Sequence, residues 1–225
     1  MISIPVRGGL GTQILSLYAG YALAEETGET IGEVVFNSGG YPPEALANGD
    51  IDRVYFDDLL EFADRPNIIS KPGTQKTSAF HEPNLSLLFK HWEKLQEKVW
   101  LKLQFVKSAR ELIHIRQGDR TLVPIDMFDQ LVGQKPYAKI ISDRTWVYER
   151  YNAPQSFDVI KDWRAIISSR NIYAGFSTYV LLSGMLNPTQ DVYFFSRKSS
   201  VGPSSFSDWS AIEKYVERFP NFHWI

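Results

Sequence analysis

Apolar and polar positions run along this chain in two rhythms that take turns. Ile2 to Val6 reads as a first strand and Gly8-Gly9-Leu10-Gly11 as a turn. Ile14, Leu17, Tyr18, Tyr21 and Ala22 then recur on one face of a helix that stops at Gly28. Val34-Val35-Phe36 predicts a second strand, and Asn37 to Ala47, with its Gly and Pro residues, a loop. Leu88, Trp92, Leu95, Val99 and Leu103 keep helical spacing and predict one long helix ending near Val106. Beyond it, strands are expected at Leu112 to Arg116, Tyr137 to Ser142, Asn171 to Gly175, Val192 to Phe195 and Phe222 to Ile225. Helices are expected at Asp158 to Ser169, Thr178 to Leu186 and Trp209 to Phe219. Strand–helix alternation is the pattern of parallel sheets with helices on their faces, so the expected fold class is α/β. The break near 107–111, just after the long helix, divides the chain into residues 1–108 and 109–225. These are expected to be two small α/β halves facing each other across a cleft.

Composition narrows the function classes. The 225 residues carry 24 Lys+Arg against 26 Asp+Glu, a net charge of −2, and no block of like charge stands out. A basic footprint is therefore absent, and nucleic acid is not an expected partner. The absence of cysteine excludes disulfides, thiolate zinc sites and thiol nucleophiles. No stretch approaches the ~20 apolar residues of a transmembrane helix. The N-terminus also lacks the basic and long apolar segments of a signal peptide, so the expected location is cytoplasmic. Trp at helical spacing belongs to a core. Among Trp92, Trp100, Trp146, Trp163, Trp209 and Trp224, the expected exception is Trp146, which follows the Asp143 segment.

Two segments carry candidate chemistry. Arg7-Gly8-Gly9-Leu10-Gly11-Thr12-Gln13 joins a strand to a helix, where glycines permit close backbone approach and the helix start offers unpaired N–H groups to an anion. It is neither a Walker loop nor the dinucleotide pattern, and a tight turn of this kind also exists without any ligand. The second segment is His114-Ile115-Arg116-Gln117-Gly118-Asp119-Arg120, at the C-terminal end of a strand, where open α/β sheets bind ligands. Arg116 offers a planar fork of donors for phosphate oxygens, Gly118 allows a turn, and Asp119 can hold the loop or orient the arginine. An Arg–Asp ion pair that merely stabilises the loop is the plainer alternative.

The string His114-x-Arg116-x-Gly118-Asp119 resembles the His-x-Arg-x-Gly-Asp motif of the fucosyltransferase superfamily, which groups the α-1,2-, α-1,6- and protein O-fucosyltransferases. Gly9-Leu10-Gly11-Thr12-Gln13 is similar to that superfamily's Gly-x-Gly-Asn-Gln turn. Ile141-Ser142-Asp143 with Trp146 is similar to the Ser-Asp-Asp-x-x-Trp segment of the α-1,2 branch. Asp162 through Ser177 resembles a stretch that begins with Asp and ends in Phe-Ser at a helix start. The resemblance implies a GT-B-like pair of Rossmann-type halves, the first on the acceptor side and the second binding the nucleotide sugar. It also implies GDP-fucose as donor, a glycan hydroxyl as acceptor, inversion at the anomeric carbon, and neither cofactor nor metal. By the same resemblance Arg116 and His114 are the catalytic pair, with Arg116 on the donor diphosphate. Gly9, Gly11, Gln13, Gly118, Asp119, Asp143, Asp162, Phe176 and Ser177 are the donor-binding set. Four places depart from the family pattern, one being Tyr173-Ala174-Gly175, which stands for an Asn-Ser-Ser lead-in before Phe176-Ser177. Thr12 stands for the usual Asn, Gln117 for a second Arg, and Arg144 for the second Asp.

Other readings remain open. A non-catalytic relative that retains the donor pocket is the competing class. Asp50-Ile51-Asp52 matches the Asp-x-Asp of metal-dependent transferases, a triplet expected by chance in a chain with 13 Asp. Gly175-Phe176-Ser177-Thr178-Tyr179, followed by an Asp and His223, resembles a hydrolase nucleophile elbow, with Tyr179 crowding the place of its last Gly. His81 and His91 lack the spacing of a helical ligand pair. The group that takes the acceptor's proton is left among Asp119, Asp126, Asp129 and Glu82.

Overall fold

Strand β1 (Ile2–Val6) buries Ile4 and Val6 and turns Ser3 and Pro5 outward, the period of two that its sequence carries. The computed structural model describes residues 1–6, 9–37, 56–71, 82–102, 110–117, 123–156, 158–195 and 216–225. Arg7, Gly8, Asp50 to Asp52, His81, Gly118, Asp119 and Trp209, together with most of the loop expected from Asn37 to Ala47, lie outside them. The chain divides into two units, Met1–Gln104 and Phe105–Ile225.

In the first unit, Gly9 caps helix α1 (Leu10–Thr27), so the helix begins at Leu10 and Gly11 lies in its first turn rather than in a loop. Gly28 ends it at φ 70°, a left-handed position open to glycine, with its N–H bonded to the carbonyl of Ala24. Strand β2 (Ile31–Asn37) follows, parallel to β1. A short helix α2 (Phe56–Leu59) leads to β3 (Leu60–Phe62), and β4 (Asn67–Lys71) joins β2 to complete a parallel sheet of order β1-β2-β4. Helix α3 (Glu82–Lys98) lies on α1, with Tyr18 against Trp92 at 5.1 Å between ring centroids. Glu25 pairs with Lys94 and Lys98 at the exposed rim of that packing, and Glu26 pairs with Lys90 and His91. Exposed ion pairs of this kind stabilise little.

The long helix expected to reach Val106 ends at Lys98. Val99–Leu101 is instead strand β5, antiparallel to β3. Leu95 and Val99 are both fully buried and four residues apart, so one row of buried positions fits a helix and a helix-to-strand junction equally well. Trp100, expected in a core, is 38% exposed and donates its indole N–H to Glu61 on β3 at 2.9 Å.

The second unit is built from β6 (Glu111–Ile115), α4 (Ile125–Gln134), β7 (Lys139–Ser142), α5 (Thr145–Arg150), α6 (Val159–Ser168), β8 (Asn171–Ala174), α7 (Thr178–Leu186), β9 (Asp191–Phe194) and β10 (Phe222–Trp224). Its five strands are all parallel, in the order β10-β9-β8-β6-β7. Helix α4 covers one face, where Phe128 and Leu131 meet Ile113, Ile140 and Tyr173. The other face, presenting Val192 and Phe222, receives α7, which packs beside α6. Right-handed crossovers account for this division, because β6 to β7 runs one way across the sheet and β7 to β10 the other. Helix α4 begins after Pro124 and α5 after Arg144; neither is among the elements expected from the sequence. No helix among the described residues is long and apolar enough to cross a membrane.

Gly184 is where α7 comes closest to the sheet. A Cβ there would stand 2.6 Å from Phe222 Cζ and 2.7 Å from Val192 Cγ2. Gly184→Leu is expected to destabilise the chain by about 1–3 kcal/mol through overpacking, read as a lower urea midpoint at unchanged slope.

Candidate active site

The order of the strands singles out one place in the second unit before any side chain is considered. Strand β7 lies on one side of β6 and β8 on the other, so the sheet changes direction between β6 and β8. Connections leaving these two strands depart to opposite faces and leave a crevice at their C-terminal ends, the usual ligand position of open α/β sheets. His114, on β6, is level with Ala174 on β8 and Ile141 on β7. Arg116 therefore leaves β6 beside the point where Gly175, Phe176 and Ser177 leave β8. A Cβ on Gly175 would come to 3.0 Å from Val123 Cγ2, so the absence of a side chain there lets the chain that returns to α4 pass close to β8.

Each residue at this edge is held by identifiable partners. His114 points away from α4, and its ring meets that of Tyr179 at 5.8 Å between centroids. Tyr179 OH in turn donates to the carbonyl of Val159 at 2.6 Å, tying α7 to α6. The imidazole Nδ1 of His114 is buried without a hydrogen-bond partner. Burial, reinforced by the Arg116 charge, pushes its pKa down to about 3. His114 is thus held neutral near pH 7.

That shift gives a stability expectation. Between pH 6.5 and about 3 the unfolded chain binds a proton at this residue that the folded chain refuses, so folding stability falls as pH drops below 6.5. The loss is on the order of 1 kcal/mol per pH unit at most. Urea titrations from pH 7 to 4 are expected to show a shallower decline for His114→Gln than for the wild type.

Ser177 is the N-cap of α7. Its Oγ accepts from the N–H of Tyr179 at 3.2 Å, which leaves its own O–H to donate. Phe176 is buried against Phe194 at 5.4 Å, so it anchors the turn from below. On the β7 side, Asp143 Oδ1 accepts from the backbone N–H of Gln117 at 3.0 Å. Tyr148, 1% exposed, accepts from Ser142 N–H at 2.9 Å, and its hydroxyl lies 3.0 Å from the carbonyl of Ser142 and 2.9 Å from that of Ser156. The Ser156 hydroxyl donates to Asp162, a buried carboxylate in the first turn of α6 whose pKa is raised by burial. Ser156 therefore stands between Tyr148 and Asp162, its carbonyl hydrogen-bonded to the first and its hydroxyl to the second.

Of the sequence-derived set, His114, Arg116, Asp143, Asp162, Phe176 and Ser177 gather on this second unit. Gly9, Gly11 and Gln13 stand at the start of α1 in the first unit, where Gln13 is fully buried and its N–H bonds to the carbonyl of Gly9 at 3.0 Å. Gly118 and Asp119 fall outside the described residues. Trp146 is 42% exposed, whereas Trp92 and Trp163 are buried. Among the candidates for proton removal, Asp129 is held by Arg150 at 2.8 and 2.6 Å and by Tyr151 at 2.9 Å. The Arg150 bond comes first in keeping its carboxyl below the ordinary range, an engaged group rather than a free base. Asp126 is exposed in the first turn of α4.

The nucleophile-elbow reading fails on placement. Asp191, 3.0 Å from His223, opens β9 level with Asn171, and His223 is level with Tyr193, which is in turn level with Tyr173. Ser177 lies beyond the opposite end of those strands. Among the described residues, no group of three or more His, Asp or Glu is arranged to hold a metal ion. Tyr148, Tyr179 and Gln117 are the site residues that the sequence pattern did not pick out in these roles.

The chain is an α/β protein whose three-stranded and five-stranded sheets are parallel. The solved structure of NodZ α-1,6-fucosyltransferase soaked with GDP-fucose is similar to this chain over 89% of its length and 96% of the other, with a TM-score of 0.50 at 13% sequence identity. Likeness at that identity establishes the shared fold. No family model and no curated protein matches the sequence.

Proposed function

We propose that this chain is a glycosyltransferase that moves fucose from GDP-fucose to a glycan hydroxyl with inversion and without a metal. The Phe105–Ile225 unit would hold the donor and the Met1–Gln104 unit the acceptor. The observation that carries the reading is the position of Arg116 at the crevice between β6 and β8, beside the capped start of α7. Transfer from a nucleotide diphosphate builds negative charge on the leaving diphosphate. Arg116 supplies a fixed positive fork, Ser177 an O–H, and the first turn of α7 further N–H donors, all in place before the reaction. Neutral His114 adds a hydrogen-bonding group beside them without competing for the acceptor's proton. The fold shared with a fucosyltransferase whose crystals were soaked with GDP-fucose supports the choice of donor.

Thermal shift with GDP, UDP, GDP-fucose and GDP-mannose tests this reading. A ligand at 100 times its Kd stabilises the folded state by about 2.7 kcal/mol, an easily read rise in melting temperature. Stabilisation by guanine nucleotides alone is the expected result. No shift with any nucleotide would remove the donor site and with it the transferase.

A further inference from the structure

The β6–β7 ladder ends at the pair Ile115 and Ser142, yet the backbone of β6 stays fixed beyond it. Ser142 Oγ donates to the carbonyl of Ile115 at 2.7 Å, and the N–H of Gln117 donates to Asp143 Oδ1 at 3.0 Å. Two side chains of β7 and its exit thus continue the ladder after its main-chain bonds have stopped, and Arg116 lies between the two peptide groups they hold. Gln117 adds a second attachment: its Nε2 donates to the carbonyl of Val123 at 2.9 Å, six residues on. Val123 is the residue that faces Gly175 at the end of β8.

We propose that Gln117 is a positioning residue for the donor diphosphate, a neutral clamp that fixes Arg116 and the spacing between the ends of β6 and β8. The proposal rests on the donor-site reading above. The amide serves because it donates to a carbonyl without adding charge. An arginine at this position would carry a second cation toward the ligand, but its fork would have to give up the Val123 carbonyl to do so. Position 117 in this chain works through Arg116 and Val123 rather than through contact with phosphate.

Titration calorimetry with GDP and with guanosine, on wild type, Gln117→Leu and Gln117→Arg, tests the clamp. The leucine variant keeps the side chain's bulk and loses its donor. It is expected to bind GDP at least tenfold more weakly while its guanosine affinity stays within twofold, because only the phosphate-binding arginine is misplaced. Gln117→Arg is expected to lose GDP affinity as well. Equal losses for GDP and guanosine would mean a general distortion of the pocket and would overturn the proposal. So would unchanged GDP binding in Gln117→Leu, or tighter GDP binding in Gln117→Arg, which would make 117 a vacant charge position. A wild type that binds neither ligand refutes the donor site itself, an outcome separate from all of these.

Discussion

Arg116→Ala is expected to lower kcat for transfer from GDP-fucose by ~10²–10³, the usual cost of removing one preorganised donor from a developing anion. The substitution removes the guanidinium of a residue that follows β6 directly, and leaves the β6–β7 ladder itself unaltered. GDP binding is expected to weaken with the rate. Arg116→Lys is expected to remain impaired, since a point charge on a flexible stem does not reproduce a planar fork aimed at two phosphate oxygens. Full activity in the lysine variant would reduce the role of Arg116 to charge alone. Wild-type activity in the alanine variant would remove it from the site. Release of GDP from GDP-fucose, followed with a panel of oligosaccharide acceptors, measures both.

The second large effect is on stability. Trp163 is fully buried on α6, and its indole N–H lies 3.4 Å from the carbonyl of Tyr179 in the first turn of α7. Trp163→Ala is expected to cost about 3–5 kcal/mol, the transfer free energy of the ring plus the cavity it leaves. A loss of that size corresponds to a fall in melting temperature on the order of 10 °C for a chain of this length. Because Tyr179 touches both His114 and α6, the variant is also expected to bind GDP more weakly at temperatures where it remains folded. A melting temperature within 2 or so degrees of wild type would show that α6 and α7 are held by other contacts.

Local signals made much of the second unit legible before its structure was known. The helix from Asp158 to Ser169 is bounded by a carboxylate cap and a small polar residue, and Asp158 does accept from the N–H of Lys161 at 2.9 Å. Ser177 marks the start of α7 in the same way. Strand ends were legible because the apolar runs at Leu112 and Ile172 are short and followed by turn-forming residues. Long-range pairing was not. Nothing near Val99 announces that it will leave the helix to meet Phe62, because that preference belongs to a partner 37 positions away. Helix α4, with Ile125, Phe128 and Leu131 on its buried side, carries a readable period that its ten-residue length makes short.

The site divides along the same line. Arg116 and His114 stood out as residue types at a strand end. The Tyr148 hydroxyl between Ser142 and Ser156, the hydrogen bond from the Gln117 side-chain amide to the Val123 carbonyl, and the capping of the Gln117 N–H by Asp143 depend on backbone atoms that have no letter in the sequence. Asp143 was expected near a nucleotide because its segment with Ser142 and Trp146 resembles one in the fucosyltransferase superfamily. The structure gives its carboxylate a backbone N–H to hold, so its effect on a donor would pass through the shape of the β6 exit.

The central claim is that the donor sits at the C-terminal ends of β6, β7 and β8. Titrating GDP-fucose into isotopically labelled protein and following backbone amide resonances tests it most directly. Shifts centred on Arg116, Gln117, Asp143 and the Gly175–Thr178 turn are the expected result. Shifts centred instead on Glu111, Asn171 and Asp191, at the opposite ends of the same strands, would contradict it.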